Sequence, residues 1–252
     1  MTAERAVCAN DGGAAACAHG EAVIRDRLAA FLAANRDEGY QAFQAKLIPN
    51  IDSASIIGVR TPVLRRFAKA LAREGKAEVF LSLVPHGTFE ENQLHAFIVA
   101  DMRDFDEYVA ELRAFLPLVD NWATCDQLSP RTLAEQPERA LDLVRQWLAD
   151  GRTYVVRFAI GVLLQLFLDE RFSSEQMGWV AAVESDEYYV NMMRAWYMAE
   201  AVAKQPEVAV ALLEAGSLDR WTHNKAIQKA RESLRVPVEM KAHLATLRRR
   251  ER

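Results

Sequence analysis

The chain has 252 residues, 51% of them hydrophobic and 26% charged, with 31 Lys and Arg against 35 Asp and Glu for a formal net charge of −4. Such a chain can bury one large core or two modest ones and is not globally disordered. Its total charge, taken alone, argues against a generic nucleic-acid-binding surface. Its three cysteines, an odd number with no CxxC, exclude a disulfide framework and a strong zinc motif.

Met1 to about Gly20 is Ala/Gly-rich, carries Glu4 and Asp11, and has no sustained apolar stretch. It is expected to be a frayed tail (residues 1–20) rather than a signal peptide. Cys8, Cys17 and His19 fall in this loose stretch, so no metal site is expected there. No apolar run approaches the roughly 20 residues of a membrane span. A reduced, cytoplasmic chain fits best.

From residue 21 onward the apolar positions recur at helical spacing. Val23, Ile24, Leu28, Phe31 and Leu32 form one stripe. Val63, Leu64, Phe67, Ala68 and Leu71 form another, with Arg65, Arg66 and Lys69 outside it. Phe105, Tyr108, Val109, Leu112 and Leu116 form a third. The block from Tyr154 to Leu168 is apolar nearly all round and is expected to be a central helix. Val208 to Leu213 and Ala242 to Leu247 continue the theme. The prolines lie at the edges of these blocks, where helices tolerate them. No convincing period-2 strand appears. The expected fold is all-α: a single domain over 21–252, built as an α-solenoid or superhelix of HEAT-like antiparallel helix pairs. A compact irregular helical bundle is the competing architecture.

The charges are unevenly distributed. Ile56 to Lys76 holds six bases and one acid, a net of +5, and Ser217 to Arg252 holds ten bases and four acids, a net of +6. Ala77 to Asp126 holds two bases and ten acids, a net of −8. Two basic segments on an acidic body form a track for phosphates if the fold turns both to one concave wall. Otherwise they are solvated helix faces, the commoner meaning of charge runs.

Phosphate-loop, dinucleotide, zinc-protease and nucleophile-elbow motifs are all missing, and the histidines are scattered. In Asn121-Trp122-Ala123-Thr124-Cys125-Asp126, Trp122 and Asp126 stand at i and i+4, hence on one face of a helix. An aromatic ring beside a carboxylate can hold a substrate while the carboxylate faces developing positive charge. A core tryptophan beside a capping acid is the alternative. Arg157 lies in an otherwise apolar helix, one turn after Tyr154, and must reach a partner, a cavity or a ligand. The aromatic-rich segment Glu187 to Tyr197 reads as core more readily than as a binding platform. Trp221, Asn224, Lys225 and Lys229 combine an aromatic, a polar donor and two lysines one turn apart, which suits phosphate contacts; an amphipathic helix with a solvated face is the alternative.

These motifs, taken together and in order, resemble the DNA alkylation repair family, the AlkD-like glycosylases built from HEAT-like repeats. The resemblance rests on Gly58-Val59-Arg60-Thr61-Pro62-Val63-Leu64-Arg65, Glu90-Glu91-Asn92-Gln93-Leu94-His95-Ala96, Asn121 to Asp126, Val156-Arg157-Phe158 with Phe167-Leu168-Asp169-Glu170, and Asn224 to Ser233. It implies a DNA glycosylase that excises positively charged N-alkylated purines from duplex DNA, acting as a monomer and without a cofactor or metal. Asp126 then matches the family's catalytic aspartate and Trp122 its partner tryptophan. Arg157 matches the arginine near the lesion, with Tyr154, Trp221, Asn224, Lys225, Lys229, Arg60, Arg65 and Arg66 as further DNA contacts. Where the best-known members carry a second active-site tryptophan in the late helix, this sequence has Gln228 and Lys229, with Trp221 just before. A non-catalytic member that binds DNA structures, and a helical protein-interaction scaffold, are the alternative functions.

Overall fold

The computed structural model describes the backbone of residues 11–250 and the side chains of residues 18–250. In chain order the helices are α1 (Asp11–Ala34), α2 (Glu38–Leu47), α3 (Thr61–Arg73), α4 (Ala77–Leu81), α5 (Phe89–Ala100), α6 (Phe105–Phe115) and α7 (Trp122–Cys125). They continue as α8 (Pro137–Leu148), α9 (Thr153–Leu166), α10 (Ser174–Ala182), α11 (Tyr188–Lys204), α12 (Pro206–Ala215), α13 (Arg220–Glu232) and α14 (Val238–Thr246). No strand occurs among the described residues, and the fold is all-α, in keeping with a helical repeat. No helix among them is long and apolar enough to cross a membrane. Of the expected tail, residues 1–10 lie outside the described residues, as do the side chains of Cys8 and Cys17. The backbone from Asp11 to Gly20 is helical and continues into the rest of α1.

The chain divides into two compact units. The first comprises Met1–Met102 and Leu118–Gln127, the second Arg103–Pro117 and Leu128–Arg252.

In the first unit, α3 starts on Pro62 in its first turn, where the missing N–H costs nothing. It buries Leu64, Phe67, Ala68 and Leu71 of the expected stripe, with Val63 half-buried, and leaves Arg65, Arg66, Lys69 and Arg73 exposed. Phe31 of α1 stacks on Phe67 with ring centroids 3.9 Å apart, while Val23 of the same predicted stripe is exposed. The most enclosed helix of this unit is α5. It opens with a capping box between Thr88 and Glu91 and buries Phe89, Glu90 and every residue from Gln93 to Val99.

In the second unit α9 has the central position expected for it, with every residue from Tyr154 to Leu163 buried. Helices next to each other in sequence pack together (α8 on α9, α11 on α12, α13 on α14), and α11 also receives α9 and α13. The buried Arg194 of α11 ties α13 in place through Asp219, its Nη1 lying 2.8 Å from Oδ2. Asp219 also caps α13 by accepting from the Thr222 N–H.

One pair of rings in the first unit has a pH consequence. His86 stacks on Phe80, and its Nε2 lies 2.9 Å from Nδ1 of the buried His95. Burial, followed by the charges of His95 and Arg25, lowers the His86 pKa from 6.5 to about 3. The folded state therefore favours neutral His86. Its contribution to stability is complete above the unfolded value of 6.5 and is lost as pH falls from there towards about 3. Urea unfolding should show a lower midpoint at pH 5 than at pH 7, and His86→Gln should narrow that difference. An equal difference in both proteins would contradict the assignment.

Candidate functional site

The sequence-predicted residues fall into two groups, one in each unit. In the first unit the group is built on α7. Asn121 caps this short helix by accepting from the Thr124 N–H at 2.8 Å, and its own amide donates to Asp120 at 2.7 Å. The Thr124 hydroxyl accepts from Gln93 of α5 at 2.9 Å. Asn50 donates to the Asp120 carbonyl at 2.8 Å, and the Trp122 indole N–H donates to the Leu47 carbonyl at 3.2 Å. The short helix is thus held from both sides by side-chain hydrogen bonds to α5 and to the end of α2. The Asp126 N–H donates to the Trp122 carbonyl at 2.9 Å, so the two residues stand one turn apart, and both are half-buried. Trp122 is therefore not a core tryptophan. Next to Asp126, Gln127 accepts from Arg65 at 2.6 Å, and the Arg65 guanidinium lies 4.2 Å from the centre of the Phe97 ring.

The loop before α3 explains the Gly58-Val59-Arg60 motif. The fully buried carboxylate of Glu90 accepts from the N–H groups of Ile57, Gly58 and Val59 at 2.9, 2.7 and 3.2 Å. Gly58 has φ +96°, and a Cβ there would collide with the Asp37 carbonyl and lie 2.9 Å from the Gln41 nitrogen. Arg60 pairs with Asp37 at 2.7 Å and lies over the Tyr40 ring, so it braces the loop against the start of α2. Arg66 is exposed on α3.

In the second unit a line of aromatic contacts joins the other predicted residues. Arg157 is only 4% exposed and donates to the Tyr189 carbonyl at 2.9 Å. Tyr154 meets Tyr189 at 6.1 Å between ring centroids. Tyr189 meets Tyr188 at 5.1 Å, and Tyr188 meets Trp221 edge-on at 5.5 Å. Burial, then the neighbouring Tyr188, push the Tyr189 phenol up, so it stays neutral at neutral pH. Tyr188 and Trp196 are 54% and 41% exposed, whereas Val190, Met193 and Tyr197 of the same helix are buried. The segment expected to be core is therefore two-faced. Sequence reading missed Tyr188, Tyr189 and Trp196 because an aromatic-rich helix gives no sign of which rings face out.

Trp221, Asn224, Lys225 and Gln228 lie along one stripe of α13 and line a cavity of about 660 Å³. Its other wall is formed by Ala245, Thr246, Arg248, Arg249 and Arg250. Asn224 is a strap rather than an open donor. Its amide donates to the Arg249 carbonyl at 2.8 Å, and its oxygen accepts from the Arg249 N–H at 2.9 Å. Lys229 is half-buried on the same helix and does not line the cavity.

Residues 24–234 match the family described as DNA alkylation repair enzyme. The chain belongs to that family. No curated protein matches the chain. Membership in the DNA alkylation repair family gives the protein a role in the repair of alkylated DNA. The matched stretch takes in α7, the Glu90 loop and the whole aromatic line, and it ends before α14.

Proposed function

We propose that the protein is a DNA glycosylase that releases positively charged N-alkylated purines from duplex DNA. The observation that carries this reading is the Trp122–Asp126 pair: an indole and a carboxylate one turn apart, both partly open to solvent, on a short helix held by side-chain hydrogen bonds to α5 and to the end of α2. An N-alkylated purine already carries positive charge. Its glycosidic bond is weak, and the base leaves with the bonding electrons without being protonated first. The remaining demand is to stabilise an oxocarbenium-like sugar, as glycosidase carboxylates do. Ionised Asp126 supplies that field and can orient the attacking water. The Trp122 face packs on the sugar or the cationic base, with an attraction of cation–π type. Nothing in this chemistry asks for a metal or cofactor.

HEAT-like pairing of the helices and a monomeric, cytoplasmic protein acting on double-stranded DNA complete the reading. Arg65 and Arg66 in one unit, and Trp221, Lys225 and Lys229 in the other, are the proposed DNA contacts; Arg157, bonded to the Tyr189 carbonyl, and Tyr154 are buried and act by positioning the aromatic line. Arg60 and Asn224 support the contacts from behind by holding the Gly58 loop and the C-terminal segment.

Charge reversal at Arg65, Arg66, Lys225 and Lys229 should weaken duplex binding and flatten its salt dependence, by roughly one unit of log–log slope for each phosphate no longer neutralised. Fluorescence anisotropy across a salt series reads both quantities. Unchanged affinity and slope would remove these residues from the DNA-binding surface.

A further inference from the structure

The cavity between α13 and the C-terminal segment has a wall that lies beyond the family match at residue 234. Three sets of hydrogen bonds hold that wall. The His223 imidazole donates through Nε2 to the Leu247 carbonyl at 2.9 Å. Asn224 pairs with both backbone groups of Arg249. The Arg249 side chain donates to the Leu218 carbonyl at 2.8 Å and passes over Gly216, where a Cβ would obstruct it. Two of the straps come from adjacent residues of α13, so the arginine run is fixed against the helix rather than trailing from it.

This arrangement gathers Arg220, Lys225, Arg248, Arg249 and Arg250 around one cavity, with no carboxylate among its described lining residues. Like charges brought together repel one another, and an anion relieves that repulsion. Arginine forks suit phosphate oxygens in particular. The cavity is not purely ionic, however. Trp221 lines it with 42% of its surface exposed, with Ala245 as a further apolar element. Its volume of about 660 Å³ is within the range of small-molecule sites. An aromatic face beside a cluster of cations matches a ligand with a flat base at one end and a phosphate at the other.

We propose that this cavity binds a nucleotide, with its phosphate among Lys225, Arg248 and Arg250 and its base against Trp221. The nucleotide is either free or part of an unpaired strand; both present the same chemistry. The proposal does not rest on base excision by Asp126, which is read by a separate assay.

The test is a fluorescence titration of the full chain with dAMP, with a single-stranded hexanucleotide and with inorganic phosphate. Quenching is expected with the hexanucleotide, and it should disappear in Trp221→Phe. Quenching by dAMP as well identifies a site for free nucleotides; quenching by the hexanucleotide alone identifies a strand site. Inorganic phosphate should compete without quenching. Arg248→Ala with Arg250→Ala should raise the apparent Kd by about tenfold or more, with circular dichroism confirming the fold; Lys225→Ala is a second variant for the facing wall. The proposal is overturned if neither nucleotide probe gives Trp221-dependent quenching, if phosphate fails to compete, or if the Kd is the same in the folded arginine and lysine variants.

Discussion

Asp126→Asn is expected to reduce release of N-alkylated purines by about 100-fold or more, the usual scale for removing one preorganised electrostatic contact to a transition state. Asparagine keeps the shape of the side chain and leaves the backbone bond from residue 126 to the Trp122 carbonyl intact. The loss should therefore appear in the rate of the chemical step, measured under single-turnover conditions with saturating DNA. Duplex affinity should stay at or above that of the wild type, because removing a negative charge cannot weaken attraction to a polyanion. Lost binding with an unchanged single-turnover rate would give Asp126 a positioning role instead.

The largest effect on stability is expected from Glu90→Ala. The carboxylate is fully buried and accepts three consecutive backbone N–H groups, those of Ile57, Gly58 and Val59. Alanine leaves these donors without an acceptor, together with a cavity where the side chain was. Buried donors that lose a charged acceptor, combined with the cavity, correspond to a loss of about 3–5 kcal/mol. For a chain of this size that lowers Tm by roughly 10 °C. Glu90→Gln keeps the volume but turns an amide NH2 towards backbone donors, so it should fall between wild type and Glu90→Ala. Calorimetry of the three proteins checks the order. The same loop leads directly into α3, which carries Arg65 and Arg66, so a loosened loop should also weaken DNA binding.

Much of the fold was legible because burial follows the helical period. The α3 stripe, the α6 stripe and the all-round burial of α9 are visible as spacing alone. The prolines in the first turns of α3, α8 and α12 are equally plain, since their chemistry is local. The division into two units was not legible. Residues 103–117 belong to one unit and 118–127 to the other, and no Gly/Ser-rich linker marks any of the three crossings.

At the site, the Trp122–Asp126 spacing was readable because four residues make one helical turn. The roles of Asn224 and Arg60 were not. Each has a partner far along the chain, Arg249 for one and Asp37 for the other, and sequence spacing does not reveal long-range pairs. The same limit concealed the cationic cavity, since α13 and the C-terminal arginines are joined by side-chain-to-backbone bonds.

The most direct measurement is the release of methylated purines from alkylated duplex DNA by the purified protein, with Asp126→Asn run in parallel. Wild type is expected to release the modified bases well above their spontaneous loss, and Asp126→Asn to remain near that background. Equal release by the two proteins, or no release by a wild type that binds the duplex, would contradict the glycosylase reading.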